Sequence, residues 1–276
     1  MEYCSKGTLF NMIKAARTVH TDRQTDFLPP HWARRLLEVL VGAARGLAYM
    51  HEHRIVHRDV KSNNLLLDFK NGQWITKVCD FNYSLEIARD PGPEEAPLSE
   101  PIPYDYWSQR WQSPETLLQK DVYGFPSDVF SFAVVIWEVV TLQRPWDKEL
   151  ELIWPDREFL AIINMYKDKR RLVFPGAVQP PSSLPPTASP SSPNLPSQVV
   201  TLQRPSNTDP QNEIKGLVFP KEVQAQLEDL CQRCWREDPQ ERPSMRQVAD
   251  ELMKLHEDFQ RLQLQLQVQV QAQQVH

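Results

Sequence analysis

Apolar residues recur at helical spacing over most of the chain. Between residues 29 and 53 they are separated by alternating steps of four and three, at Leu36, Leu40, Ala43, Leu47 and Met50. This spacing puts them on one face of a helix, and the prolines at its start are tolerated because the first turn needs no amide donor. The pattern predicts a long amphipathic helix that leads into a polar loop at residues 57–64.

Directly after that loop the helical spacing ends, and the apolar residues occur in short continuous runs. Residues 65–67 and 74–78 have the composition of strands. The Asn71-Gly72 pair between them favours a tight hairpin turn, because both residue types tolerate positive φ. We therefore predict a short β-hairpin behind the polar loop.

Residues 126–140 have almost no polar face after Asp128. A helix that is apolar all round is buried, so this segment predicts a buried helix.

Further apolar stripes predict shorter helices at residues 9–13, 159–166 and 227–235. Ser244 and Gln247 have the spacing of a capping box and predict the start of a last helix. The fold class predicted from these patterns is mainly α, a helical bundle with a short β-hairpin at the polar loop.

Residues 172–216 do not fit a packed domain. Ten of the 24 prolines lie between Pro175 and Pro210, mixed with serine, and such a composition cannot bury a core. The segment also repeats earlier sequence, because residues 199–205 are identical to residues 139–145. We predict a disordered insertion, which is either an inert linker or, at its P-x-x-P steps, a docking site for a partner protein.

The end of the chain has a different pattern. From Leu262 onward apolar residues alternate with glutamine, a period of two rather than 3.6. We predict that this Gln-rich tail is a frayed extension or a weak self-association segment, outside the packed fold.

Composition and charge exclude several classes of partner. The formal net charge of -5 and the isoelectric point near 5.8 argue against nucleic acid. The four cysteines are too few for a disulfide framework, and Cys231 and Cys234 are expected to be core thiols rather than half of a zinc site. No apolar run reaches the roughly 18 residues that span a bilayer. We therefore expect a cytoplasmic protein that binds neither nucleic acid nor membrane.

The polar loop has the chemistry of phosphoryl transfer. It reads His-Arg-Asp-Val-Lys-Ser-Asn-Asn, and Asp80-Phe81-Asn82 follows at a distance. Asp59 can orient and deprotonate a hydroxyl, and Lys61 can steady a phosphoryl group. Asn64 and Asp80 supply the oxygen ligands that Mg²⁺ prefers.

These residues at these offsets resemble the catalytic loop and the metal-binding signature of eukaryotic protein kinases. Lys61, two residues after Asp59, is the pattern of serine/threonine-specific kinases, and Trp111 with Arg242-Pro243 is similar to the tyrosine-kinase-like group. The resemblance implies transfer of the γ-phosphate of ATP to a Ser/Thr hydroxyl of a protein substrate. In that reaction Asp59, Lys61 and Asn64 would be catalytic, and Asn64 and Asp80 would hold Mg²⁺.

The resemblance also assigns residues to the nucleotide. Residues 1–7 would be a remnant of the hinge, with Met1 as the gatekeeper. The backbone of Glu2 and Cys4 would meet the adenine ring, and Leu66 would form the floor of its pocket.

Two further contacts of the loop follow from the resemblance. Ser108 would contact both Asp59 and Lys61. Asp128 would hydrogen-bond to the backbone of the loop that begins with His57 and hold it in shape.

The activation segment, between Asp80 and Glu115, would have two charged anchors. Glu115 would pair with Arg242 and pin the segment to the lobe. Arg58 would pair with a phosphate on the segment, for which the candidates are Ser99, Tyr104 and Tyr106.

The motifs of the amino-terminal lobe, a Gly-rich loop and a strand lysine, do not occur in the sequence. We therefore expect a carboxy-terminal kinase lobe with the β-sheet of the amino-terminal lobe absent. Asn82 also replaces the glycine that the family has after Asp80-Phe81. One alternative to an active kinase is a catalytically inactive pseudokinase or scaffold fragment that acts by protein binding. Another is a non-functional duplicate, which the copied segments around Val199 and Leu217 suggest.

The expected division of the chain has five parts. They are a hinge remnant (1–7), the first part of the lobe (8–171), the Pro/Ser-rich insertion (172–216), the last helices (217–256) and the Gln-rich tail (257–276).

Overall fold

The computed structural model describes residues 2–23, 28–87, 108–118, 123–154, 157–174 and 218–274. Met1, most of the predicted insertion and the three candidate phosphosites, Ser99, Tyr104 and Tyr106, lie outside these ranges. Within them the helices are α1 (Leu9–Arg23), α2 (Pro30–Glu52), α3 (Pro114–Leu118), α4 (Phe125–Thr141), α5 (Asp147–Leu150), α6 (Glu158–Lys167), α7 (Lys221–Cys234) and α8 (Met245–Gln274). The strands are β1 (Ile55–Val56), β2 (Leu65–Lys70), β3 (Gln73–Val78) and β4 (Leu85–Glu86).

The predicted buried helix is confirmed as α4. Its apolar side chains are buried on every side, including Phe130, Phe132 and Ile136, and α7 packs against it. The two cysteines of α7 are buried, and Cys231 donates from its thiol to the carbonyl of Ala133 in α4 at 3.5 Å. Burial raises the pKa of both thiols, as expected for core residues.

The predicted long helix and hairpin are also confirmed, as α2 and the antiparallel pair of β2 and β3. Asn71 and Gly72 turn the hairpin with φ of 53° and 79°. α2 lies directly on the hairpin, because a Cβ on Gly42 would come within 2.9 Å of the Thr76 hydroxyl. Glycine is therefore required where the helix and the hairpin meet.

Two short pairings close the region around the polar loop. β1 ends directly before the loop, and it pairs antiparallel with β4, which begins after Asp80-Phe81. The second pairing is at the edge of β2 that does not face β3. There the amide of Lys6 donates to the carbonyl of Leu67, and the amide of Leu67 donates to the carbonyl of Gly7. The first residues of the chain are thus attached to β2, on the side of the hairpin where Leu66 lies.

The last helix extends further than its sequence pattern predicts. The capping box is confirmed, since the amide of Ser244 donates to Gln247 Oε1 at 2.8 Å. The buried stripe of α8 ends at Phe259, but the helix continues to Gln274 and leaves Leu262, Leu264 and Leu266 exposed. None of the described helices combines the length and the apolar character needed to cross a membrane.

Candidate active site

Asp128, at the start of α4, binds the backbone of the polar loop. Its Oδ2 accepts from the amide of His57 at 2.7 Å, and its Oδ1 accepts from the amide of Arg58 at 2.9 Å. His51 Nε2 lies 3.0 Å from Oδ2. Burial raises the pKa of Asp128, but the interaction with His51, followed by the hydrogen bond from the backbone amide of His57, outweighs it, and the pKa is lowered overall. The side chain is therefore a carboxylate.

His57 connects the loop to the segment that contains Asp80. Its Nδ1 accepts from the amide of Asp59 at 3.2 Å, so Nε2 bears the hydrogen and donates to the carbonyl of Cys79 at 3.0 Å. The His57 ring also contacts the ring of Phe81, with centroids 5.6 Å apart. His57 thus fixes the loop to the residues on both sides of Asp80.

Arg58 occupies a backbone conformation that few side chains adopt. Its φ is 70°, and the bond from its amide to Asp128 holds it there. The guanidinium lies over the ring of Tyr123, 4.5 Å from the centroid. Its expected phosphate partners are outside the described residues.

Asp59, Lys61, Asn64 and Ser108 form one polar cluster. Lys61 Nζ lies 2.8 Å from Asp59 Oδ2 and donates to Ser108 Oγ at 2.6 Å. Asn64 Nδ2 donates to both the carbonyl oxygen and Oδ2 of Asp59 at 2.9 Å. Asp59, Asn64 and Ser108 are buried, so Lys61 supplies the counter-charge for a desolvated carboxylate.

Asp80 is exposed next to this cluster. It follows Cys79, whose amide and thiol both donate to the carbonyl of Asn64, at 3.0 and 3.3 Å. Burial, then the charge of Asp80, raises the pKa of Cys79, so its thiol stays protonated. Asp80 has a φ of 64°, and its carboxylate is not engaged in an ion pair within the described chain.

The residues present fit a magnesium ion bound together with phosphate. The amide nitrogen of Asn64 is committed to Asp59, so its Oδ1 is the atom that can meet a cation. The described residues contain no group of three or more His, Cys, Asp or Glu side chains that could hold a metal. A site built from one carboxylate and one amide oxygen is sparse, and it suits Mg²⁺, which takes its other ligands from phosphate and water.

The residues expected to meet adenine lie along the hairpin. Leu66 is half-buried opposite Thr8, and Cys4 is half-buried two residues before Lys6, which bonds to β2. The carboxylate of Glu2 pairs with Lys77 and Lys70, at 2.5 and 3.3 Å. The hydrogen bond from Lys77, followed by that from Lys70, lowers the pKa of Glu2.

Glu115 and Arg242 form a buried bidentate pair, with nitrogen to oxygen distances of 2.6 and 2.9 Å. Arg242 also donates to the carbonyl of Pro126 at 3.0 Å, and Ser127 Oγ donates to Glu115 Oε1 at 3.3 Å. The pair therefore joins α3, the start of α4 and the turn before α8.

Glu138 is a polar residue of this region that the sequence reasoning missed. It is buried in α4, where it accepts from Ser62 Oγ at 2.9 Å and from Trp111 Nε1 at 2.7 Å. Burial raises the pKa of Glu138 to about 8. The available signal was an acidic residue within the apolar run that follows Ser131, because a buried carboxyl group requires a partner.

A second missed group surrounds Arg110, three residues before Ser113. The buried guanidinium donates to the carboxylates of Asp147 and Glu158 at 2.7 and 2.9 Å. It fixes the segment that contains Ser108 to α5 and α6.

Comparison with known proteins identifies the group to which this site is similar. The family model described as "Protein kinase domain" matches residues 1–253. The chain is 35% identical over 147 residues to serine/threonine-protein kinase CTR1 of Arabidopsis thaliana, which covers 52% of this chain and 15% of CTR1. It is 28% identical over 236 residues to serine/threonine-protein kinase STY17 of the same plant, covering 83% of this chain and 30% of STY17.

A human protein is similar over a longer stretch. Mitogen-activated protein kinase kinase kinase 7 is 25% identical over 256 residues, which covers 90% of this chain and 29% of that protein. The matched part is therefore less than a third of the length of each of these relatives.

The family match corrects the predicted fold class. We expected a separate carboxy-terminal lobe with the β-sheet of the amino-terminal lobe absent. That prediction is wrong, because the model of the whole domain matches the chain from residue 1. The expectation rested on the absence of two motifs, the Gly-rich loop and the strand lysine. A motif consists of a few side chains, whereas a lobe is defined by its backbone and packing, so the absence of the motifs does not establish the absence of the lobe.

Proposed function

This chain belongs to the protein kinase family, and on that basis we propose that it transfers the γ-phosphate of ATP to serine and threonine hydroxyls of a protein substrate. The relatives named above are serine/threonine kinases, which supports this specificity. The observation that carries the proposal is the position of Lys61, which bridges Asp59 and Ser108.

In this proposal Asp59 is the general base. Lys61 and Asn64 both contact its Oδ2, so within the described chain Oδ1 is the oxygen available to a substrate hydroxyl. A carboxylate held from two sides has a fixed orientation, which favours proton transfer from a positioned hydroxyl. Lys61, with its ammonium group already in the site, would offset charge on the transferred phosphoryl group.

The remaining assignments follow the same family logic. Asn64 and Asp80 would hold Mg²⁺, which neutralises charge on the phosphate oxygens when it is bound. The backbone of Glu2 and Cys4 and the side chain of Leu66 would bind the adenine ring. Arg58 would pair with a phosphate of the activation segment and so regulate activity.

The experiment compares the wild-type chain with Asp59→Asn in phosphate transfer from labelled Mg-ATP to a mixed protein substrate. We expect label on serine and threonine, and a loss of at least about 100-fold in Asp59→Asn, because general-base catalysis typically contributes that much. Asp250→Asn is the matched control, since Asp250 is an exposed carboxylate on α8 and should leave transfer unchanged. Label on tyrosine, or equal transfer by Asp59→Asn, would overturn the proposal.

A second candidate is a catalytically inactive pseudokinase or scaffold that acts by protein binding. The specific observation in its favour is Asn82, which stands where the family has a glycine and thereby restricts the backbone next to Asp80. A folded wild-type chain that transfers no phosphate would support this candidate. Docking of a partner at the Pro-rich insertion, and a cytoplasmic location, are further proposals.

A further inference from the structure

Glu138 connects the catalytic loop to the segment that contains Ser108. Its Oε1 accepts from Ser62 Oγ at 2.9 Å, and its Oε2 accepts from Trp111 Nε1 at 2.7 Å. Ser62 directly follows Lys61 in the loop. The amide of Trp111 donates to the carbonyl of Ser108 at 3.1 Å.

These contacts form a closed ring with the bond between Lys61 Nζ and Ser108 Oγ at 2.6 Å. Each partner of that bond is thus tied, through one neighbour, to the same carboxyl group. Ser62, Trp111 and Ser108 are buried, so water does not compete with the ring.

The packing of α4 does not require a carboxyl group at this position. The residues on either side, Trp137 and Val139, are buried and apolar, and an apolar side chain of similar volume would avoid the desolvation cost of Glu138. The contacts that use its two oxygens are those to Ser62 and Trp111. We propose that Glu138 is a positioning residue that fixes Lys61 against Ser108, a role that rests on the proposed function of Lys61.

The charges around Glu138 are compatible with this role. Burial raises its pKa to about 8, while the hydrogen bonds from Trp111 and Ser62 and the charge of Arg144 act in the opposite direction. The Glu138 carboxyl group is therefore largely protonated near neutral pH, and it bonds to Ser62 and Trp111 without needing a close counter-ion.

The test measures the chemical reactivity of Lys61 and does not need phosphate transfer. An acylating reagent is added in limiting amount to the intact chain, and labelling of each lysine is measured by mass spectrometry. The exposed Lys169 serves as the internal reference. Reactivity of Lys61 reports on how firmly its ammonium group is held between Asp59 and Ser108.

Three variants separate positioning from general stability. Glu138→Ala removes both bonds, and we expect labelling of Lys61 to rise at least fivefold relative to Lys169. Glu138→Gln should restore protection to within twofold of wild type, because its amide oxygen can accept from Trp111 while its NH₂ donates to Ser62 Oγ. Ser131→Ala is the control in the same helix, since among the described residues its hydroxyl bonds to the carbonyl of Ser127 alone, and it should also stay within twofold.

Unchanged protection of Lys61 in a folded Glu138→Ala variant would overturn the proposal. Should that variant fail to unfold cooperatively, Trp111→Phe and Ser62→Ala each remove one bond and should each raise labelling. Protection equal to wild type in both would refute the proposal equally. Loss of protection in a chain that transfers no phosphate would reject the proposed function but support the positioning role.

Discussion

Asp128 accepts hydrogen bonds from two successive backbone amides of the polar loop. In an Asp128→Ala variant the buried amide of His57 and the partly buried amide of Arg58 lose their acceptor, and each unsatisfied amide costs about 1–3 kcal/mol. We expect the free energy of unfolding to fall by roughly 3–5 kcal/mol in urea titrations. Arg58 would also lose the support for its positive φ.

Asp250→Ala is the control for this substitution, because Asp250 lies exposed on α8 and should change stability by no more than about 0.5 kcal/mol. Asp128→Asn keeps one acceptor oxygen and should be intermediate. Equal stability of Asp128→Ala and the control would contradict the contacts described for the loop.

Glu138 should make stability depend on pH. Its pKa is raised from 4.5 to about 8 in the folded chain, so folding takes up a proton between these values, and stability decreases as pH rises through that window. Relative to Glu138→Gln, which does not titrate, the wild type should lose up to about 1.4 kcal/mol per pH unit between pH 5 and 8. Urea titrations at several pH values measure this difference, and a constant difference would contradict the raised pKa.

Asp128 and Glu138 differ in how well their contacts could be predicted from the sequence. The role of Asp128 was assigned from the family resemblance, and in the structure Asp128 binds the backbone of the polar loop. Glu138 lies in the same segment, but its partners, Ser62 and Trp111, are 76 and 27 residues away. A single sequence indicates that a buried acid needs partners, and it does not indicate which residues they are.

At the scale of elements, the buried pair of Glu115 and Arg242 joins parts that are distant in sequence. Arg242→Ala would leave the Glu115 carboxylate buried without its counter-ion, and we expect a loss of about 3–5 kcal/mol in the free energy of unfolding. Arg233→Ala is the matched control, because its partner Glu251 is exposed and such pairs contribute about 1 kcal/mol or less.

The double variant Glu115→Gln with Arg242→Met tests the reason for this cost. Removing both charges should be less destabilising than Arg242→Ala alone, since no unpaired charge remains. An equal or larger loss would mean that the arginine acts through its other bonds, to Pro126 and Arg236.

The tail illustrates where the periodicity of a sequence and its structure disagree. Alternation of leucine and glutamine has the period of a strand, yet α8 continues through it. Leucine and glutamine are both good helix formers, and the preceding turns are already fixed by the buried Leu252, Leu255 and Phe259. Propensity and propagation from a packed helix therefore outweigh periodicity, and the result is a helix with exposed leucines on opposite sides.

At the scale of the whole molecule, the helical core and the hairpin were predictable because they depend on local spacing. The polar contacts that join them were not, because those contacts link distant residues. The fold class was misjudged where the inference used missing motifs. Absence of a local pattern says little about a domain whose family model matches residues 1–253.

The same four-residue sequence occurs at both boundaries of the Pro/Ser-rich insertion, and both copies bear on the packing of the whole fold. The sequence Leu-Val-Phe-Pro occurs at residues 172–175 and again at residues 217–220. Both copies contribute buried residues: Phe174 stacks on Trp235 with ring centroids 5.8 Å apart, and Phe219 is fully buried. The chain therefore uses the two copies at the same time, in two separate places.

Phe174→Ala and Phe219→Ala should for that reason both be costly. Removing a buried phenylalanine side chain typically costs about 3–5 kcal/mol, and we expect each variant to lose that much in the free energy of unfolding. Leu264→Ala, in the exposed part of α8, is a control that should change stability by about 0.5 kcal/mol or less. A neutral Phe174→Ala beside a destabilised Phe219→Ala would mean that only the second copy is packed in solution, and the insertion at residues 172–216 would then be dispensable for folding.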